Sequence, residues 1–184
     1  MNLHNGQIIP FMIFASLMFF LNGCIVYHKV SYSVHLNTPH SGTATVKAFD
    51  MRSNADSKKE FDQDKKNLFQ YMLKSKEFVA DQKSQGKVVT ARKLYLQNGK
   101  LIGEGTYKFN NIKDVAGINY DGGFHYLNLN LDDSVMATNG EIIRSKEYKR
   151  IMWDSTYKVL EFTMFSFSFE HNKSRPLAPY FHKN

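Results

Sequence analysis

The chain has 184 residues, 42 % of them hydrophobic and 22 % charged. That suffices for one domain with an appendage, is short for two domains, and is too apolar for wholesale disorder. A single cysteine excludes an intrachain disulfide framework and any zinc site built on several thiolates. The net charge is +7, and none of it lies in the first 23 residues, which hold no Lys, Arg, Asp or Glu. Fifteen Phe and ten Tyr against one Trp and four Pro favour a strand-rich domain.

Ile8 to Leu21 reads IIPFMIFASLMFFL, 14 residues with one Ser and one Pro. As a helix it covers about 21 Å, short of the roughly 30 Å hydrocarbon core, so its length fits the apolar region of a secretory signal better than a membrane span. Leu21-Asn22-Gly23-Cys24 follows at once. This string resembles the lipobox of bacterial lipoproteins: an aliphatic residue, two small ones, then the cysteine that takes the lipid. The resemblance implies cleavage before Cys24, diacylglycerol on its sulfur and a palmitate-type chain on its new amino group. Residues 1–23 would then be a lipoprotein signal peptide. The rival reading is an uncleaved anchor from Ile8 to Tyr27, 20 residues long, with His28 and Lys29 on its far flank and the domain in the cytoplasm.

From residue 26 the pattern changes. Val26, His28, Val30, Tyr32, Val34 and Leu36 alternate with more polar neighbours, which predicts a half-buried strand. Thr38-Pro39-His40-Ser41-Gly42 turns the chain into a second alternating run, Thr43 to Met51. Ser57-Lys58-Lys59-Glu60 has the form of a capping box, and Gly86 is a stop signal. Between them Phe61, Leu68, Met72 and Val79 fall within about 20° of one meridian, which predicts a long amphipathic helix across a sheet, with a possible break at Ser75. Val88 to Leu96 and Leu101 to Phe109 flank Asn98-Gly99, a strong hairpin signal. Further strands are expected over Phe124 to Leu131, Tyr148 to Trp153 and Lys158 to Phe169, with another turn at Asn139-Gly140. The expected fold class is α+β: a mainly antiparallel sheet of about seven strands backed by one long helix, after the apolar signal segment. The expected organisation is a single domain over 24–170 and a basic C-terminal tail over 171–184.

Residues 25 to about 115 also resemble the domain of the LppM-like bacterial lipoproteins. The likeness lies in the lipidation cysteine, the hairpin with Ser41-Gly42-Thr43 at its turn, the amphipathic helix and the second hairpin. That family brings no catalytic residues, and the resemblance implies an envelope-associated, non-enzymatic domain.

Chemistry-bearing motifs are sparse. His28, His35, His40, His125, His171 and His182 lack carboxylates at ligand spacing, and no HExxH or paired C-x-x-C occurs, so no metal ligand set is assigned. Cys24 abuts an apolar segment, where burial raises a thiol pKa, so it is read as a lipid acceptor rather than a nucleophile. Gly103-Glu104-Gly105 has no third glycine or following helix and reads as strand glycines at a close backbone approach. Asp132-Asp133 with Asn128 and Asn130 departs from an EF-hand loop and reads as a turn. No catalytic residue and no cofactor is assigned.

Charge is uneven: residues 57–100 carry a net +6, residues 101–170 a net −3, and the tail adds Lys173, Arg175 and Lys183. Lys29, Lys173, Arg175 and Lys183, with the helix lysines, are therefore candidate contacts to an anionic surface. The expected function is an exported, lipid-anchored envelope lipoprotein with a non-catalytic binding or structural role. Its expected partners are membrane lipid through Cys24 and anionic lipid or another envelope component, not nucleic acid. The alternatives are an envelope enzyme using acidic residues assembled by folding, or the uncleaved membrane protein. Ile25 stands where Asp commonly retains such lipoproteins in the inner membrane, and no acidic export tag follows Cys24. The resemblance therefore implies the outer membrane, facing the periplasm, over the inner membrane or the cell surface.

Overall fold

A computed structural model describes residues 25–166 and 169–182; Cys24, the apolar segment before it and Lys183 lie outside them. Strands β1 (Ile25–Val26), β2 (Lys29–Leu36), β3 (Gly42–Phe49) and β4 (Arg52–Ser53) precede helices α1 (Lys58–Lys66) and α2 (Lys76–Ser84). Then come β5 (Lys87–Gln97), β6 (Lys100–Phe109), β7 (Asn119–Asp121), β8 (Phe124–Leu129) and β9 (Val135–Thr138). The chain closes with β10 (Glu141–Arg144), β11 (Lys149–Asp154), β12 (Val159–Phe165) and β13 (Arg175–Pro176).

The strongly alternating runs build one six-stranded antiparallel sheet in the order β5-β6-β3-β2-β12-β9. Its register places apolar residues in rows across one face, such as Leu160, Val34, Ala44, Tyr107 and Val89, or Met164, Val30, Ala48, Gly103 and Leu94. The two-residue period leaves Ser31, Ser33, Thr45 and Lys47 on the other face. Gly103 is needed at its place in the row, because a Cβ there would lie 2.7 Å from Met51 Sδ. Asn98 and Gly99 both take positive φ, 51° and 73°, as the tight turn between β5 and β6 demands.

The helical segment covers part of the apolar face, and Arg92 of β5 donates to the Met72 carbonyl at 2.9 Å. A second sheet, β10-β11-β8-β7, adds Leu127, Ile151 and Trp153 to the same core, with the Trp153 and Phe162 rings 6.1 Å apart. A third and smallest sheet, β1-β4-β13, joins the start of the described chain to its end.

The α+β expectation of about seven strands and one long helix is therefore corrected. The described residues form a mostly β structure, thirteen strands in three antiparallel sheets with only two short helices. The helix is cut for a local reason. After a π-helical segment at Asn67–Met72, Ser75 adopts φ −70° and ψ 140°, and its Oγ accepts from Glu77 N at 2.9 Å, capping a new helix. The additional strands are two to four residues long and exist through their partners. Ile25–Val26, Arg52–Ser53 and Arg175–Pro176 are too short to show a period.

Candidate functional site

Helix α1 starts at a complete capping box: Ser57 Oγ accepts from Glu60 N at 3.2 Å, and the Glu60 carboxylate accepts from Ser57 N at 3.1 Å. This cap fixes the helix phase, so Lys58, Phe61, Asp62 and Lys65, at i, i+3, i+4 and i+7, share one side. The chain after residue 170 returns against that side. Arg52, nearly buried in β4, holds it there through Nε to Ser174 Oγ at 2.9 Å and Nη2 to the Ser174 carbonyl at 2.6 Å. Leu177 then plugs into the core with no exposed surface. The segment expected as a basic tail is thus tied to the domain as far as Phe181, whose ring lies 6.2 Å from that of Phe69.

Between the two lies a groove of ≈ 500 Å³ lined by Lys58, Phe61, Asp62, Lys65, Arg175, Pro176, Pro179 and Tyr180. Phe61 is its buried floor and Tyr180, 45 % exposed, its lip. Two cations bracket the floor ring, Lys65 Nζ at 5.3 Å and Arg175 Cζ at 5.4 Å from its centroid. Lys65 also sits 4.7 Å from the Tyr180 ring and 2.7 Å from Asp62. That hydrogen bond holds the Asp62 carboxyl below the usual carboxylate range. Three cations against one already engaged acid leave the groove positive.

The groove is adjacent to the start of the described chain. Ser53 pairs with Ile25 on one side and Arg175 on the other, so those three side chains share one face of the small sheet. Helix α1 packs over that face: Ser53 Oγ donates to the buried Asp64 Oδ2 at 2.6 Å, and Arg175 lies over Phe61.

The sequence candidates separate on this frame. Arg175 lines the groove. Lys29 belongs to β2, 4.9 Å from the Phe49 ring centroid, and is not part of the groove. Lys173 is exposed and paired with Glu170 at 2.7 Å, a bond that raises its pKa. Cys24 and Lys183 lie outside the described residues. From the sequence the helix lysines stand out only as a group and Phe61 only as part of the helix's apolar stripe, and Lys58, Lys65 and Tyr180 are not marked as site residues. Their helical spacing and the Pro176, Pro179, Tyr180 cluster were visible in the sequence, but nothing in it showed that they meet.

Two other cavities differ from it in lining. A groove of ≈ 480 Å³ on the outer face of the large sheet is lined by Ser, Thr and Asn residues and the Phe49 ring, with Lys47 and Glu161, and Ser33 Oγ donates to Glu161 at 3.2 Å. A small apolar cavity between helix and sheet contains Glu104, held by Lys93 at 3.0 Å and Lys47 at 3.4 Å. Each of these three cavities has one carboxylate, already engaged. Among the described residues, no group of three or more His, Cys, Asp or Glu is placed to hold a metal ion. Compared with family models, curated proteins and solved structures, the chain matches none.

Proposed function

We propose that the chain is an exported envelope lipoprotein, anchored by lipid at Cys24, with a non-catalytic binding domain held against the membrane surface. The observation that carries this reading is the strand order β1-β4-β13. Ile25, the residue after Cys24, is the first residue of β1 and 4 % exposed, so no linker separates the anchor position from the folded domain. Arg175 stands two strands away, about 10 Å at the usual inter-strand spacing. Lipid on Cys24 would bring the positive groove within roughly one Debye length of headgroup phosphates.

The uncleaved anchor loses support from the same residues. It needs Ile8 to Tyr27, yet Ile25 and Val26 form β1 and Tyr27 is buried in the core cluster. What is left, residues 8–24, would span only about 26 Å, the lower limit for crossing. The enzymatic alternative needs two carboxylates converging in one pocket, and the cavities described hold one each.

Mass spectrometry of the N-terminus of the protein purified from envelopes tests the proposal. A first residue Cys24 carrying diacylglycerol on sulfur and an acyl chain on its amino group is expected; an intact Met1 or an unmodified Cys24 overturns it. Density-gradient fractionation with protease access to intact cells tests the outer-membrane, periplasm-facing placement, which requires co-sedimentation with outer membrane and protection from the protease.

A further inference from the structure

We infer that the groove between α1 and residues 175–180 is a headgroup site for an anionic phospholipid, with Lys65 and Arg175 as the phosphate-binding pair. The orientation of the site towards the bilayer rests on the proposed anchor at Cys24; its chemistry does not.

Three features of the groove match that ligand and no neutral one. First, its cations are pre-positioned. Lys65 Nζ and Arg175 Cζ flank the same Phe61 ring, at 5.3 and 5.4 Å, and Arg175 Nη2 also donates to the Asp56 carbonyl at 3.3 Å. Fixing two long side chains before binding removes much of the ordering cost of gripping a phosphate. The guanidinium keeps further N–H donors for bidentate contact, and the Lys65 ammonium supplies a compact second charge. Secondly, Lys58, Lys65 and Arg175 face a single acid in the lining, Asp62, so the groove stays net positive with Lys65 shared between Asp62 and the ligand.

Thirdly, the lip is amphipathic. Tyr180 exposes 45 % of its surface beside Pro176 and Pro179. A phenol with an apolar body and a polar tip suits the interface between headgroups and acyl chains, where aromatic residues collect. A free phosphate or an acidic peptide would use the cations but would have no need of this rim. The lipid uses both, and Ile25 lies two strands from Arg175 on the same small sheet. The outer-face groove lacks the cation pair: its one lysine, Lys47, is already engaged by Glu104, and Glu161 adds a carboxylate to the lining.

The test uses the full chain purified from membranes in neutral detergent. It is offered equal mole fractions of phosphatidylglycerol and phosphatidylcholine, and native mass spectrometry counts the retained lipid. At about fivefold for each basic group held at the phosphate, the pair should favour phosphatidylglycerol roughly 25-fold. This preference should collapse in the double variant Lys65→Gln/Arg175→Gln and persist in Lys146→Gln/Lys158→Gln, two exposed lysines outside the groove. Near-equal retention of the two lipids by the wild-type chain overturns the inference without recourse to any variant. So does an equal loss in the control pair, or displacement of the lipid by millimolar inorganic phosphate or by an acidic peptide. An intact Met1 in the N-terminal analysis overturns the anchor alone and leaves the lipid-preference result standing.

Discussion

Replacing Arg52 with Met tests whether the buried guanidinium in β4 is what ties residues 171–182 to the domain. Arg52 is 9 % exposed and makes two short hydrogen bonds, to Ser174 Oγ at 2.9 Å and the Ser174 carbonyl at 2.6 Å. Its contacts to the His171 carbonyl at 3.4 Å and to Asp50 at 3.9 Å add little at those lengths. Met keeps most of the aliphatic stem, so packing loss is small. Asp50 retains Lys100 at 3.3 Å, and Ser174 Oγ retains its bond to the Glu170 carbonyl at 2.8 Å. What is lost is two charge-assisted bonds, about 1.5–3 kcal/mol each, less the relief of no longer burying a cation. The expected net cost is about 3 kcal/mol, a fall in Tm of roughly 6–12 °C for a domain of this size. Urea unfolding followed by the fluorescence of Trp153, the single tryptophan and 1 % exposed, measures it directly. Ser174→Ala should cost about 1 kcal/mol, and the double variant should recover about 1 kcal/mol of coupling. Hydrogen exchange at Leu177 N–H, which donates to the Met51 carbonyl at 3.4 Å, should accelerate in Arg52→Met. A shift below about 0.5 kcal/mol, or strict additivity with Ser174→Ala, would show that the segment is held by Leu177 and its neighbours instead.

Stability should fall as the pH drops below 6.5, because burial pushes the His125 imidazole below its ordinary value, opposed by the hydrogen bond to the Pro39 carbonyl at 2.8 Å. The sign follows from the neutral ring being preferred in the fold: the stabilisation is complete above the unfolded pKa and is lost as the pH falls through the folded one. Urea midpoints at pH 7.5 and 5.5 should differ in the wild type and converge in His125→Gln; a wild-type midpoint that rises on acidification refutes the assignment. Gly140→Ala should destabilise by about 1–3 kcal/mol, since its Cβ would lie 2.5 Å from Trp153 Nε1 and 2.7 Å from the Met152 carbonyl. Its expected signature is a shifted Trp153 emission from loss of the Nε1 bond to Asn139 Oδ1 at 2.8 Å, and wild-type stability with unchanged emission would contradict it. Ser57→Ala should cost about 1 kcal/mol by opening the capping box of α1, measured by urea unfolding, and a neutral effect would mean that the cap does not hold the groove's helix in place.

Local patterns carried much of the larger sheet. Alternation over Val30, Tyr32 and Val34, the Asn98-Gly99 turn and the Ser57 capping box each act within a few residues, so they read directly from the sequence. Ser75 shows the limit of such reading. Its apolar neighbours continue the helical stripe, but its side chain offers the backbone a cap, and the helix ends where that competition is won. The strand count failed for a different reason. Arg52–Ser53 has no pattern of its own and becomes a strand only because Ile25–Val26 and Arg175–Pro176 pair with its two edges, the latter more than 100 residues away in sequence. The groove is of the same kind. The charge of α1 and the basic residues after 170 were legible separately. Their convergence depends on Arg52 finding Ser174 and Leu177 finding the core, contacts that only tertiary packing makes. A sequence states which side chains carry charge or apolar surface, and the closure of long loops decides which of them face one another.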